Sequence, residues 1–175
     1  CNPCESLQDG KVTLVPPLDG YERFTLDGVE YEAFNTSGGL GTLCATMAGK
    51  IHNLNYKSIR YPGHRDLMAF LLQDLKFAND QGTLCSIFER SLPTTTQDEC
   101  LVLVQAVGMQ GNRRLQKTYV SRVYHKTING THFGAIQLTT AAGVCGVIDM
   151  ILNSNLKEKS GMIKVEDIDL KKFLT

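Results

Sequence analysis

Residues 58–66 read Ser-Ile-Arg-Tyr-Pro-Gly-His-Arg-Asp, a short run holding two guanidinium groups, a hydroxyl, an imidazole and a carboxylate. Arg60 closes a strand-like stretch, residues 56–61, directly before the Pro62-Gly63 turn and a helical start at His64. Ligands of α/β proteins gather at the carboxyl ends of strands. A guanidinium placed there can hold a carboxylate through two parallel N–H donors. The competing role for Arg60 is a structural ion pair with Asp66 or Glu32. His64 has three roles open to it: capping the helix, packing, or exchanging a proton. Ser58 and Ile59 line the same turn. For His52, His125 and His132 no partner is visible in the sequence.

A second constellation is Ser37-Gly38-Gly39-Leu40-Gly41-Thr42-Leu43-Cys44, preceded by Asn35 and Thr36. It nearly matches the G-x-G-x-x-G loop that cradles a dinucleotide between strand and helix, but Cys44 holds the third glycine position. No acid stands about twenty residues further on. Three readings stay open: a flexible strand-to-helix turn, a nucleotide loop, or helix N–H groups that receive a substrate carboxylate. No Ser-His-Asp, H-E-x-x-H, P-loop or calcium-loop pattern appears. Of the six cysteines, Cys44, Cys85, Cys100 and Cys145 have apolar neighbours and read as small buried hydrophobes. Cys1-Asn2-Pro3-Cys4 has C-x-x-C spacing, but nothing completes a zinc site, so no metal is expected. Reduced thiols point to the cytoplasm.

The elements that must position these groups begin with short β runs at residues 11–15, 21–26 and 29–34, punctuated by Asp9-Gly10, Asp19-Gly20 and Asp27-Gly28. A helical segment follows over 42–48. Leu67, Phe70, Leu71 and Leu75 fall at helical spacing, which predicts a helix over 64–77 with one buried face. A shorter helix is expected over 84–90, ended by Pro93. Residues 100–107 and 115–127 read as strands, with Gly111-Asn112 turning between them. Asn129-Gly130-Thr131 matches a glycosylation sequon, but between two β-rich runs Asn-Gly reads as a hairpin turn. Residues 135–152 form a helix apolar nearly all round, which must be covered on several sides. A domain of this size rarely covers such a helix alone, so part of that surface is expected to face another domain or a second subunit. The fold class is therefore α/β (α+β): a mixed, largely antiparallel sheet with helices mainly on one face, in a length that suits one large domain or two small ones.

Bulk properties narrow the functions. With 175 residues and 42% hydrophobic content the chain can bury a proper core. Eighteen basic and eighteen acidic residues give a net charge of +0, with no general attraction to nucleic acid or anionic lipid. An uninterrupted apolar run of about 18 residues is absent, so no membrane span is expected. The start at Cys1, without Met, suggests a processed or excised chain.

Arg60-Tyr61-Pro62-Gly63-His64 resembles the R-Y-P-G-H segment of the saccharopine dehydrogenase-like oxidoreductases, a group that includes saccharopine reductases, lysine 6-dehydrogenases and carboxynorspermidine dehydrogenases. Asp9-Gly10-Lys11, residues 27–34 with the turn after them, and residues 161–168, similar to a closing G-x-x-x-x-E-x-I, agree in order. The resemblance implies the C-terminal, substrate-binding and dimerising domain of a two-domain dehydrogenase, with NAD or NADP held by an absent N-terminal Rossmann domain. It implies oxidation of a C–N bond of an amino acid or carboxylated polyamine, or the reverse reduction, with a nicotinamide carrying the hydride. Arg60 leads the implied substrate-binding set, with Ser58, Ile59, Asn35, Thr36, Ser37 and His64. No cofactor-binding residue falls in this chain, which alone should be inactive, and the β runs 101–107 and 120–124 are the expected homodimer surface. Ser58-Ile59 departs from the family's usual Thr-Leu. The fungal reductases' arginine is missing from 35–37, which argues against saccharopine itself as the substrate. The alternative function is a stand-alone cytoplasmic ligand-binding or scaffold domain without catalysis.

Overall fold

The computed structural model describes residues 2–153, 156 and 160–174, so Cys1 of the C-x-x-C spacing lies outside the described residues. The chain divides into two compact units, Cys1–Leu92 and Pro93–Thr175. Among the described residues every strand pairing is antiparallel, and the strands form four small sheets rather than the one larger sheet expected. The reason is local: most strands are joined to their partners by tight turns, so each hairpin closes on itself.

In the first unit β1 (Cys4–Gln8) pairs with β2 (Lys11–Val15). The strands β3 (Glu22–Leu26), β4 (Val29–Asn35) and β5 (Lys57–Arg60) form a sheet in that order. The Asp9-Gly10 and Asp27-Gly28 turns take left-handed backbone at both residues, the conformation that matches strand twist in a two-residue hairpin. β1, which the sequence did not announce, is tied to residue 54 by Leu7 N–H to Leu54 O at 2.8 Å and the return bond at 3.1 Å. The helices are α1 (Leu43–Met47), α2 (His64–Ala69) and α3 (Gln81–Ser91). Asp80 caps α3 by accepting the Thr83 N–H. The core gathers Cys4, Leu7, Leu18, Tyr31, Ala33, Phe34, Cys44 and Leu84.

The helix expected over 64–77 is interrupted. After α2 the chain enters a π turn over Phe70–Asp74, and Lys76 is left-handed. An extra residue in the turn rotates the following side chains off the original stripe. Leu67, Phe70 and Leu75 are exposed and Leu71 is half-buried, so the expected buried face is not formed. The cysteines also need correction. Cys44 is buried and Cys100 half-buried, but Cys85 and Cys145 are exposed. Each of those two sits on a helix, where a neighbour one position along points about 100° away, so adjacent apolar residues do not imply burial.

In the second unit β6 (Glu99–Gln110) and β7 (Arg113–Tyr124) make a hairpin of twelve residue pairs around Gly111-Asn112. A smaller hairpin, β8 (Lys126–Ile128) and β9 (Thr131–Phe133), turns at Asn129-Gly130. α4 (Ala135–Leu152) follows, then α5 (Leu170–Phe173). Asp98 accepts the Ala135 N–H through both carboxylate oxygens, at 3.0 and 2.8 Å, and so caps α4. Those bonds hold the Asp98 carboxyl below the usual carboxylate range. Gly146 lets the Phe173 ring approach α4 so closely that a Cβ there would come within 2.8 Å of it.

Only Ala135 and Met150 of α4 are buried, while Ile136, Val144, Ile148, Ile151 and Leu152 are exposed. Its eighteen residues meet the length and composition of a membrane-crossing helix, which corrects the expectation that no segment would. A strict apolar run overlooks a helix whose polar positions, Gln137, Thr139, Thr140 and Asp149, are spread thinly along it.

Candidate functional site

The sheet β3-β4-β5 sorts the predicted residues by face. Residues directly opposite in antiparallel strands share a face, and here Glu32 lies opposite Arg60, Phe34 opposite Ser58, and Ala33 opposite Ile59. Ser58, Arg60, Glu32 and Phe34 therefore share one side. Thr36 joins them, its hydroxyl 2.7 Å from that of Ser58. His64, the first residue of α2, stacks on Phe34 with ring centroids 6.1 Å apart and planes 12° apart.

The other face takes Ile59 and Asn35 out of this group. There Phe24 stacks on Tyr31 and Tyr31 on Tyr61, at 5.7 and 5.6 Å. Asn35 is buried and structural: its N–H donates to Asp19 O, its carbonyl accepts from Leu18 N–H, and its side chain packs against Gly20. Ser37 is exposed in the turn. Of the seven expected residues, the structure thus brings together Arg60, Ser58, Thr36 and His64.

The two arginines of the motif separate by role. Arg65 is committed: its Nε donates to Leu18 O at 3.1 Å, its Nη1 pairs with Asp66 at 3.0 Å, and it lies 6.0 Å from the Tyr21 ring centroid. Leu18, which it holds, is buried with a left-handed φ of 68°, a conformation that costs a non-glycine residue stability. Arg60 is exposed, and its hydrogen bond is a local one from Nη1 to Ile59 O at 2.8 Å. Among the described residues neither Asp66 nor Glu32 makes an ion pair with it. Its other N–H donors make no hydrogen bond among the described residues. Burial, then the neighbouring Arg60 charge, push the His64 imidazole below its ordinary value, with Glu32 opposing. Burial and the Arg60 charge both favour the neutral form of the ring. The face therefore offers one open cation, two hydroxyls and a neutral imidazole, a set suited to an anionic group carrying further polar atoms.

Glu32 and Tyr21 are participants that sequence reasoning left out of the site. The alternation of residues 29–34, with Glu30 and Glu32 two positions apart among apolar residues, was the available signal.

The glycine-rich turn does not make a dinucleotide cradle. A Cβ on Gly39 would fall 2.2 Å from the Tyr56 ring, so this glycine is required by packing. The helix that follows, α1, has five residues and Thr42 gives it no side-chain cap. Nor do His125 and His132, whose rings lie 5.5 Å apart, belong to a metal-binding cluster among the described residues.

No protein-family model and no curated protein matches this chain.

Proposed function

We propose that this chain is the substrate-binding part of an NAD(P)-dependent oxidoreductase acting on the C–N bond of an amino acid or carboxylated polyamine, as its likeness to saccharopine dehydrogenase-like enzymes implies. The observation that carries the reading is Arg60, an exposed guanidinium without a carboxylate partner among the described residues, on one face with Ser58, Thr36 and His64. In this reading Arg60 receives the substrate carboxylate through paired N–H donors. The hydroxyls of Ser58 and Thr36 bind its remaining polar atoms, and neutral His64 accepts or donates a hydrogen bond beside the amine. The residues around Gly39 do not fit a dinucleotide, so the nicotinamide belongs to a preceding cofactor domain and no hydride step is assigned to this chain.

The same reading gives the second unit its partners: the exposed apolar side chains of α4 and of the β6–β7 hairpin meet the cofactor domain or a second copy, in a cytoplasmic homodimer. Large exposed apolar patches mark such contacts.

The test is a screen of amino acids and carboxylated polyamines against the two-domain parent, following NAD(P)H absorbance. For the substrate found, Arg60→Lys keeps the charge but loses the planar fork. It should lower kcat/KM by about one to two orders of magnitude, the loss expected when a charged hydrogen bond worth roughly 1.5–3 kcal/mol is damaged. An unchanged kcat/KM with a lowered melting temperature would make Arg60 structural. A parent frame without a cofactor domain would favour the non-catalytic binding or scaffold reading.

A further inference from the structure

Glu32 is among the most deeply buried side chains of the chain, at 1% exposure. A buried carboxylate is costly unless its oxygens are satisfied. No cation does this among the described residues. Gly63 N–H donates to Oε2 at 2.8 Å, Arg65 N–H to Oε1 at 2.6 Å, and the Tyr21 hydroxyl reaches Oε2 at 3.4 Å. The two amides flank His64, so the carboxylate clamps the turn on both sides of that residue at the start of α2. Glu32 is also the cross-strand neighbour of Arg60. Had it paired with Arg60, the guanidinium would be neutralised; with its oxygens given to amides, it leaves Arg60 uncommitted.

We propose that Glu32 is the positioning residue of the 60–64 turn: it fixes where Arg60 and His64 stand while leaving the Arg60 guanidinium open to a carboxylate. The ligand half of this rests on the functional reading above; the positioning half does not. Strand register fixes Arg60 from one side and the clamp fixes His64 from the other. Arg65, tied to Leu18 and Asp66, holds the outer edge of the same turn. The division of labour is specific: Glu32 and Arg65 build the turn, and Arg60 and His64 face outward from it.

The test compares the 175-residue chain with Glu32→Gln by NMR, using glutarate as the carboxylate probe. Three signals are followed: amide exchange at Gly63 and Arg65, the shift that the Phe34 ring imposes on His64, and the Arg60 Nε–H response to glutarate. Glutamine keeps the shape but turns an N–H donor toward a clamped amide. Exchange at Gly63 and Arg65 should speed at least about tenfold while amides of the β6–β7 hairpin keep their rates. The His64 shift should collapse, and glutarate affinity read at Arg60 should fall roughly tenfold, the loss expected for a damaged charged hydrogen bond. Unchanged exchange and an unchanged His64 shift overturn the proposal. So does faster exchange with unchanged glutarate affinity, which makes Glu32 merely structural. An Arg60 signal indifferent to glutarate in the unaltered chain sinks the carboxylate reading alone, and the exchange and His64 signals still decide the positioning. If Glu32→Gln fails to fold, Glu32→Asp, which keeps the charge on a shorter arm, is read by the same signals.

Discussion

In residues 1–92 eight apolar side chains are closed off from water, from Cys4 and Leu7 to Leu84, whereas in residues 93–174 only Ala135 and Met150 are, among those described. Composition does not explain the contrast, since the second unit contains the most apolar helix of the chain. Geometry does. The first unit gathers its core around strands β1 and β4, which are largely buried, while its helices add only Cys44 and Leu84. The second unit puts its apolar residues on a two-stranded ribbon and one straight helix, and such elements cannot enclose each other. A unit can thus be rich in apolar residues and still enclose few of them.

The sharpest way to break this contrast is paired truncation. Leu7→Ala removes a buried side chain in the first unit and should cost about 2–5 kcal/mol in denaturant unfolding. Leu152→Ala, 77% exposed, should stay within about 0.5 kcal/mol for the unpartnered chain. Equal losses would mean that α4 is covered in solution.

Next comes Gly39→Ala. The new methyl meets the Tyr56 ring, and the overpacking should cost about 1–3 kcal/mol. Tyr56→Ala in the same chain should recover part of that loss, seen as coupling in a double-mutant cycle. Additive effects would leave the glycine without its packing role and return the turn to consideration as a binding loop.

A smaller effect separates the units by pH. The Asp98 carboxyl is depressed by the Ala135 N–H, so its contribution to the second unit is complete above the ordinary carboxylate range. It disappears as pH falls through the lower folded value. Asp98→Ala should lower the melting temperature by a few degrees at neutral pH and leave it unchanged in strong acid. His64 supplies the opposite case in the first unit. Its folded value lies below the ordinary one, so the folded state resists protonation. Stability should decline as pH drops through about 6.5 and level off below the folded value. His64→Gln should flatten that slope in a melting series between neutral and mildly acidic pH.

Much of the local structure was legible. Asn129-Gly130 named its hairpin, and Asp27-Gly28 fell between two expected strands, because few other residues tolerate two left-handed positions in succession. The extent of α4 was readable because residues 135–152 hold no proline and run apolar almost throughout, despite Gly143 and Gly146. What failed depended on the third dimension. The π turn at 70–74 carries no proline or glycine to betray it, and Phe70 at its start and Leu75 just past its end are exposed. For the site, Arg60 and His64 could be singled out because turn and strand end are sequence features. Asn35 and Ile59 could not be separated from Thr36 and Ser58 until the β4–β5 register assigned each a face. Glu32 was visible as a charge but not as a clamp, since its partners Gly63 and Arg65 lie 31 and 33 residues away.

The β6–β7 ribbon has one further consequence. Its sheet has two strands, so both are edges, each with an outward row of backbone donors and acceptors twelve residues long. Val102, Val104, Val107 and Tyr119 stand exposed along those rows. Such an edge templates the addition of further strands without limit, the geometry from which fibrils grow. The far end of the ribbon carries Arg113, Arg114 and Lys117, and stacking copies in register would bring these cations together at strand spacing, where their repulsion is greatest. These exposed charges therefore oppose the stacking that the ribbon's two edges would otherwise permit.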